Sequence, residues 1–142
     1  MQTILIATDG SLCGQLAEDE AVALAVATGA RVVFLHVQPS IDSSHYQPGE
    51  VSEQTDESHI VLDRALAKAL QAGVEAEAEI VEGNPAREIV DAAKLRGADV
   101  IVVGSRGLGK ISSMFLGSVS REVLSEADRP VLVVKEKQAP AR

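Results

Sequence analysis

Five short apolar runs alternate with four helical patterns along this chain of 142 residues, and no other feature restricts the fold so much. The runs are Thr3 to Thr8, Arg31 to Val37, Glu75 to Val81, Asp99 to Val103 and Pro130 to Lys135. Leu12 to Thr28 is Ala-rich, with Leu16, Ala17, Val22, Ala23, Leu24 and Val26 as its apolar residues. About Val51 to Gln71 has Ile60, Val61, Leu62, Leu66 and Leu70 as its apolar side; in the next pattern Ile89, Val90, Ala92, Ala93 and Leu95 are expected to form the buried stripe. Gly117 to Ala127 is the last. Such alternation predicts an α/β domain, an open parallel sheet with helices on both faces and right-handed crossovers. Aromatic residues are only 2% of the chain, so Val, Ile, Leu and Ala must build the core, which suits helices packed on a parallel sheet.

Local chemistry marks the element ends. Gly29, Gly73 and Gly97 are placed to stop helices, and Asn84-Pro85 reads as an N-cap followed by the first helical position. Glu75, Glu77 and Glu79 alternate with Ala76, Ala78 and Ile80, which predicts an edge strand with one charged face. Residues 38–53 are polar, with Pro39, Pro48 and Gly49, and are expected to form a mobile loop; residues 136–142 read as a frayed tail. With no internal repeat, residues 1–142 read as a single domain.

Charge narrows the range of partners. Against 13 Lys and Arg stand 21 Asp and Glu, a formal charge of −8, which disfavours a nucleic-acid backbone as ligand. No apolar run approaches the roughly 18 residues of a membrane span. Strand pattern begins directly after Met1, leaving no room for a signal peptide. The lone Cys13 cannot form an internal disulfide, in keeping with a reducing cytoplasm.

The stretch most suggestive of chemistry runs from Gly104 to Ser118, between the fourth strand and the fourth helix. Glycine lets backbone approach a ligand closely, and the first amides of a helix lack internal partners, so this junction suits phosphate. It lacks the Gly-Lys-Ser/Thr ending of a Walker A loop and the close glycine spacing of the dinucleotide fingerprint. Glycine serving only to turn the chain is the plainer alternative.

Gly104, two residues, Gly107, nine residues and then Gly117-Ser118 resembles the ATP-binding signature of the universal stress protein family. The opening Ile4-Leu5-Ile6-Ala7-Thr8-Asp9-Gly10-Ser11 and Gly83-Asn84-Pro85 are similar to that family too, so the likeness covers nearly the whole chain. It implies a Rossmann-like sheet of order 3-2-1-4-5. In open α/β sheets ligands bind where the strand order reverses, here between the first and fourth strands. Both loops leaving those strands therefore point to one crevice.

The resemblance implies roles for particular residues. Asp9 would meet a ribose hydroxyl or a bound Mg²⁺, directly or through water; the alternative is that it only caps the turn into the first helix. Val37 would read the adenine edge through its backbone, with Ala7 and Val103 beside the base. Gly104, Arg106, Gly107, Gly117, Ser118, Val119 and Ser120 would hold phosphates through amides, hydroxyls and charge, with Lys110 as a second cation. Solvated side chains are the alternative for Arg106 and Lys110. Met114-Phe115-Leu116 is expected to pack that loop down, and His36, His45 and His59 lack metal-ligand spacing.

The function so implied is a cytoplasmic ATP-binding stress-response switch or partner-binding module, with ATP and Mg²⁺ as ligands. The alternative is a slow ATP hydrolase or a nucleotidyl-transfer enzyme, although Thr8-Asp9-Gly10-Ser11 has neither a His motif nor a Ser-Gly-Gly-x-Asp-Ser loop. The last strand, apolar from Val131 to Val134, would pair with a second copy; the alternative is a monomer whose tail covers that edge.

Overall fold

In the computed structural model, which describes residues 1–40, 50–106 and 116–136, a single five-stranded sheet carries helices on both faces. The elements are β1 (Thr3–Ala7), α1 (Leu12–Thr28), β2 (Arg31–Gln38), α2 (Glu50–Gln71), β3 (Ala76–Glu82), α3 (Pro85–Arg96), β4 (Val100–Gly104), α4 (Ser118–Glu126) and β5 (Val131–Val134). Every pairing is parallel and the order is β3-β2-β1-β4-β5, as expected. Element ends fall within a residue or so of the sequence expectations. The exception is the loop expected over 38–53: Gln38 completes β2, and residues 50–53 already belong to α2. Residues 41–49 lie outside the described residues, as do residues 137–142 of the expected tail.

Alternation along the strands divides the core in two. Ile4, Ile6, Val32, Phe34, Val100 and Val102 face α1 and α2, while Leu5, Val33, Leu35, Ile101 and Val103 face α3 and α4. These residues are nearly all sealed from water, so each contributes about 1.5–3 kcal/mol by burial. Ala17, Ala21 and Ala25 recur every four residues on the buried side of α1, and such small side chains let the helix lie close to the sheet. The same preference corrects the reading of α2 and α3. Leu62, Ala65 and Ala69 form the buried stripe of α2, which turns Ile60 and Leu70 outward; Leu70 is 80% exposed. Leu95 near the end of α3 is likewise 83% exposed, and Val26 of α1 also faces solvent.

The ends of α1 and α3 follow their local chemistry. Ser11 Oγ accepts from Gly14 N at 3.1 Å and Asn84 Oδ1 from Arg87 N at 3.1 Å. Gly29 and Gly97 adopt left-handed backbone, with φ of 77° and 62°. Arg129 Nη1 donates to the carbonyls of Ala93 and Ala98, fixing the junction between α3 and β4. Asp99 accepts from the amides of Gln2 and Thr3, which ties the chain start to β4 and holds its carboxyl below the usual range.

The two sheet edges differ. On β3, Glu77 and Glu79 are met by Arg96 from α3, and Arg31 also reaches Glu77. On β5, Val131 and Val133 pack against the α3/α4 side and Val134 against the other, while Leu132 is exposed.

Candidate functional site

The strand order reverses at β1 and β4, and two connections of different construction leave their carboxyl ends. The β1–α1 turn is held by its own side chains. Asp9 Oδ1 accepts from Ser11 N at 2.9 Å, so the turn-capping role weighed for Asp9 is real. Thr8 Oγ1 accepts from Gly10 N at 3.3 Å and donates to Glu18 Oε2 at 2.5 Å. Glu18 is only 2% exposed, a carboxylate buried in α1. Its second oxygen pairs with Lys68 Nζ of α2 at 2.9 Å, and Lys68 also reaches Asp19 at 3.1 Å. Desolvation pulls the Lys68 ammonium down, but the bonds to Glu18 and Asp19 outweigh it and hold its pKa above the ordinary value. His36 Nδ1 lies 2.8 Å from Thr8 O; a carbonyl only accepts, so that nitrogen carries the proton.

Glycines are essential here for space as well as rotation. Gly10 has φ of 78°. A Cβ at Gly14 would lie 2.9 Å from Asp9 Oδ1 and 3.0 Å from Thr8 Oγ1, so the first turn of α1 leaves no room for a side chain under the loop.

Main-chain groups stitch the β4–α4 connection. Ser105 N donates to Val134 O at 2.8 Å, while Ser105 O accepts from Gly117 N at 2.6 Å and Ser120 Oγ at 3.1 Å. Gly117 occupies the N-cap of α4 with φ −69° and ψ 165°, ordinary extended backbone, and supplies no side-chain cap. The first amides of α4 are thus without a partner inside the helix. The hydroxyl of Ser120 points its hydrogen at the carbonyls of Ser105 and Gly117, so an anion would meet its amide and not its hydroxyl. Gly104 has a reason of its own. A Cβ there would lie 2.8 Å from the carbonyl of Cys13, so close packing of α1 demands this glycine whatever occupies the crevice.

Between the two connections lies a crevice of about 340 Å³. Ala7, Leu35, Val37, Pro85, Ile89 and Val103 make an apolar slot; Asp9, Ser105, Arg106, Gly117, Ser118, Val119 and Ser120 make its polar end. Every candidate residue lines it except Gly107, which lies outside the described residues together with Lys110, Met114 and Phe115. Thr8, Gly14, Leu35, Pro85, Ile89 and Ser105 were not anticipated as lining. Leu35 shares a strand face with Val37 at period two, a signal available in the sequence; Pro85 and Ile89 required knowing which face α3 covers. Arg106 is the one cation and Asp9 the one carboxylate among the described lining residues. Arg106 Nη2 contacts Glu136 Oε2 at 2.8 Å. Among the described residues no cluster of three or more His, Cys, Asp or Glu could hold a metal by itself.

A family model described as "Universal stress protein family" matches residues 1–135. Universal stress protein YxiE of Bacillus subtilis is 38% identical over 144 residues, covering 93% of this chain and 97% of YxiE. Among solved structures, that of hypothetical protein MJ0577 aligns with a TM-score of 0.85 at 30% identity, covering 97% of this chain and 98% of that one. A universal stress protein in complex with cAMP aligns at 0.69 with 30% identity, over 94% and 95% of the two chains. The universal stress protein from Archaeoglobus fulgidus in complex with dAMP aligns at 0.72 with 25% identity, over 95% and 98%.

Proposed function

The chain belongs to the universal stress protein family, and from there we propose that its crevice binds an adenine nucleotide, ATP with Mg²⁺, as the signal of a cytoplasmic switch or partner-binding module. The observation that carries the reading is the crevice's two-part lining. A flat apolar base suits the slot between Val37 and Val103, with Ala7 as its floor, and phosphates suit the amides of Ser118, Val119 and Ser120, which have no partner inside the helix and no cap from the side chain of Gly117. Nucleotides of the same base class, cAMP and dAMP, are bound by two relatives of this fold.

The residues present fit a Mg²⁺ only as a companion of the phosphates. One carboxylate, with an oxygen already accepting from Ser11 N, is a sparse donor set, and Mg²⁺ commonly takes one or two carboxylates plus phosphate and water. Asp9 would be its protein ligand, or would meet the ribose instead. With no His or Lys among the described lining residues to serve as a base, we expect turnover far below the usual range of about 1–10³ s⁻¹. The apolar edge strand β5, with Leu132 exposed among the described residues, supports pairing with a second copy; light scattering at a mass near 14.9 kDa would refute it.

Mass spectrometry of the purified protein after denaturation should release an adenine nucleotide. Finding neither a co-purified nucleotide nor a thermal shift at saturating ATP and Mg²⁺ would overturn the proposal, since a ligand bound only to the folded state must stabilise it.

A further inference from the structure

We propose that Glu136 is a built-in competitor for the phosphate-bearing end of the ligand, and that its contact with Arg106 sets how much negative charge the crevice accepts. The inference rests on the nucleotide reading and adds a specificity determinant to it. Arg106 is the only cation among the described lining residues, and its guanidinium is engaged by a carboxylate from just beyond β5 at 2.8 Å. The position matters: a Cβ on Gly117 would come within 3.5 Å of Arg106 Cα, so the arginine's backbone adjoins the uncapped start of α4. With the ion pair closed, Glu136 cancels Arg106, and Asp9 leaves the described lining net negative. A weakly charged ligand enters without disturbing the pair. A polyphosphate competes with Glu136 for the arginine's charge, and that carboxylate is 45% exposed and can turn to water. Ser105, next to Arg106, is bonded to Val134 of β5, so donor and competitor are held on adjoining strands and the contact is not a chance meeting of distant side chains.

The test uses the full chain and isothermal titration with adenosine, AMP and ATP at low salt. Glu136→Gln should tighten ATP by about two- to fivefold, the range for releasing an exposed ion pair, and tighten AMP less. Adenosine should bind as before. In an Arg106→Gln background the same substitution should give no gain, and added salt should shrink the gain in the parent background. An unchanged ATP-to-adenosine ratio in Glu136→Gln would overturn the proposal, as would weaker ATP binding, which would make Glu136 a support for Arg106. Equal gains with and without Arg106 would overturn it too, by reducing the effect to the general field. If the parent binds neither adenosine nor ATP, the nucleotide reading itself falls, an outcome distinct from binding with an unchanged ratio.

Discussion

Helices α1 and α4 both begin at the crevice, each directly after a central strand, yet their first turns are finished differently. At α1, Ser11 caps Gly14 N, Asp9 holds Ser11 N, and Thr8 is anchored to buried Glu18. At α4, Gly117 offers no side chain and the turn is secured by carbonyls behind it. The first helix therefore caps its own Gly14 amide with a side chain, while at the second the N-cap residue supplies no such bond. A phosphate is favoured at a helix start only where the helix has not already capped itself.

Three substitutions probe that contrast. The largest stability effect should come from behind α1. Lys68→Met strands the Glu18 carboxylate with only a hydroxyl for company. It should cost about 2 kcal/mol, less than for a fully buried pair because 31% of the Lys68 side chain meets solvent. Its raised pKa means the contribution is complete below the unfolded value of about 10.4 and is lost as pH rises through the folded one. Urea midpoints at about pH 8 and about pH 11 should converge between parent and variant. A gap that persists undiminished at the higher pH would show that the ion pair is not its source.

Gly117→Asp would give α4 the finish that α1 has. Its φ and ψ suit a capping residue, though a new Cβ would sit a tight 3.3 Å from Ser105 O. Stability should stay within about 1 kcal/mol of the parent, while ATP affinity falls at least about tenfold, because a carboxylate takes up the amides meant for phosphate. Retained affinity by titration would move the phosphates elsewhere. Ser11→Ala makes the opposite change and should cost about 1 kcal/mol in chemical denaturation. ATP binding should be nearly unaffected once folding is allowed for, and a large loss of affinity would mean that the α1 turn also serves the ligand.

Where the sequence was legible, the cause was short-range. The period-two glutamates of β3, the Asn84-Pro85 start and the glycines ending α1 and α3 are decided by neighbours within a few residues. The crevice was legible because topology and the glycine spacing pointed to the same two strand ends. Long-range contacts were not. Nothing near Glu18 announces burial, since its partner Lys68 lies on another helix. Gly104 reads as a ligand glycine until α1 is seen packed on it. Leu70 and Leu95 read as apolar-face residues because leucine outranks alanine in hydrophobicity, whereas the close-packed stripes favour alanine.

Ser105 has a consequence for how the chain can vary. Its carbonyl joins Gly117 and its amide joins β5, so the chain departs from and returns to the same fixed point whatever lies between Arg106 and Leu116. Both bonds are made by main chain, so side-chain changes along the walls of the crevice, short of proline at Ser105 or Gly117, leave their spacing in place.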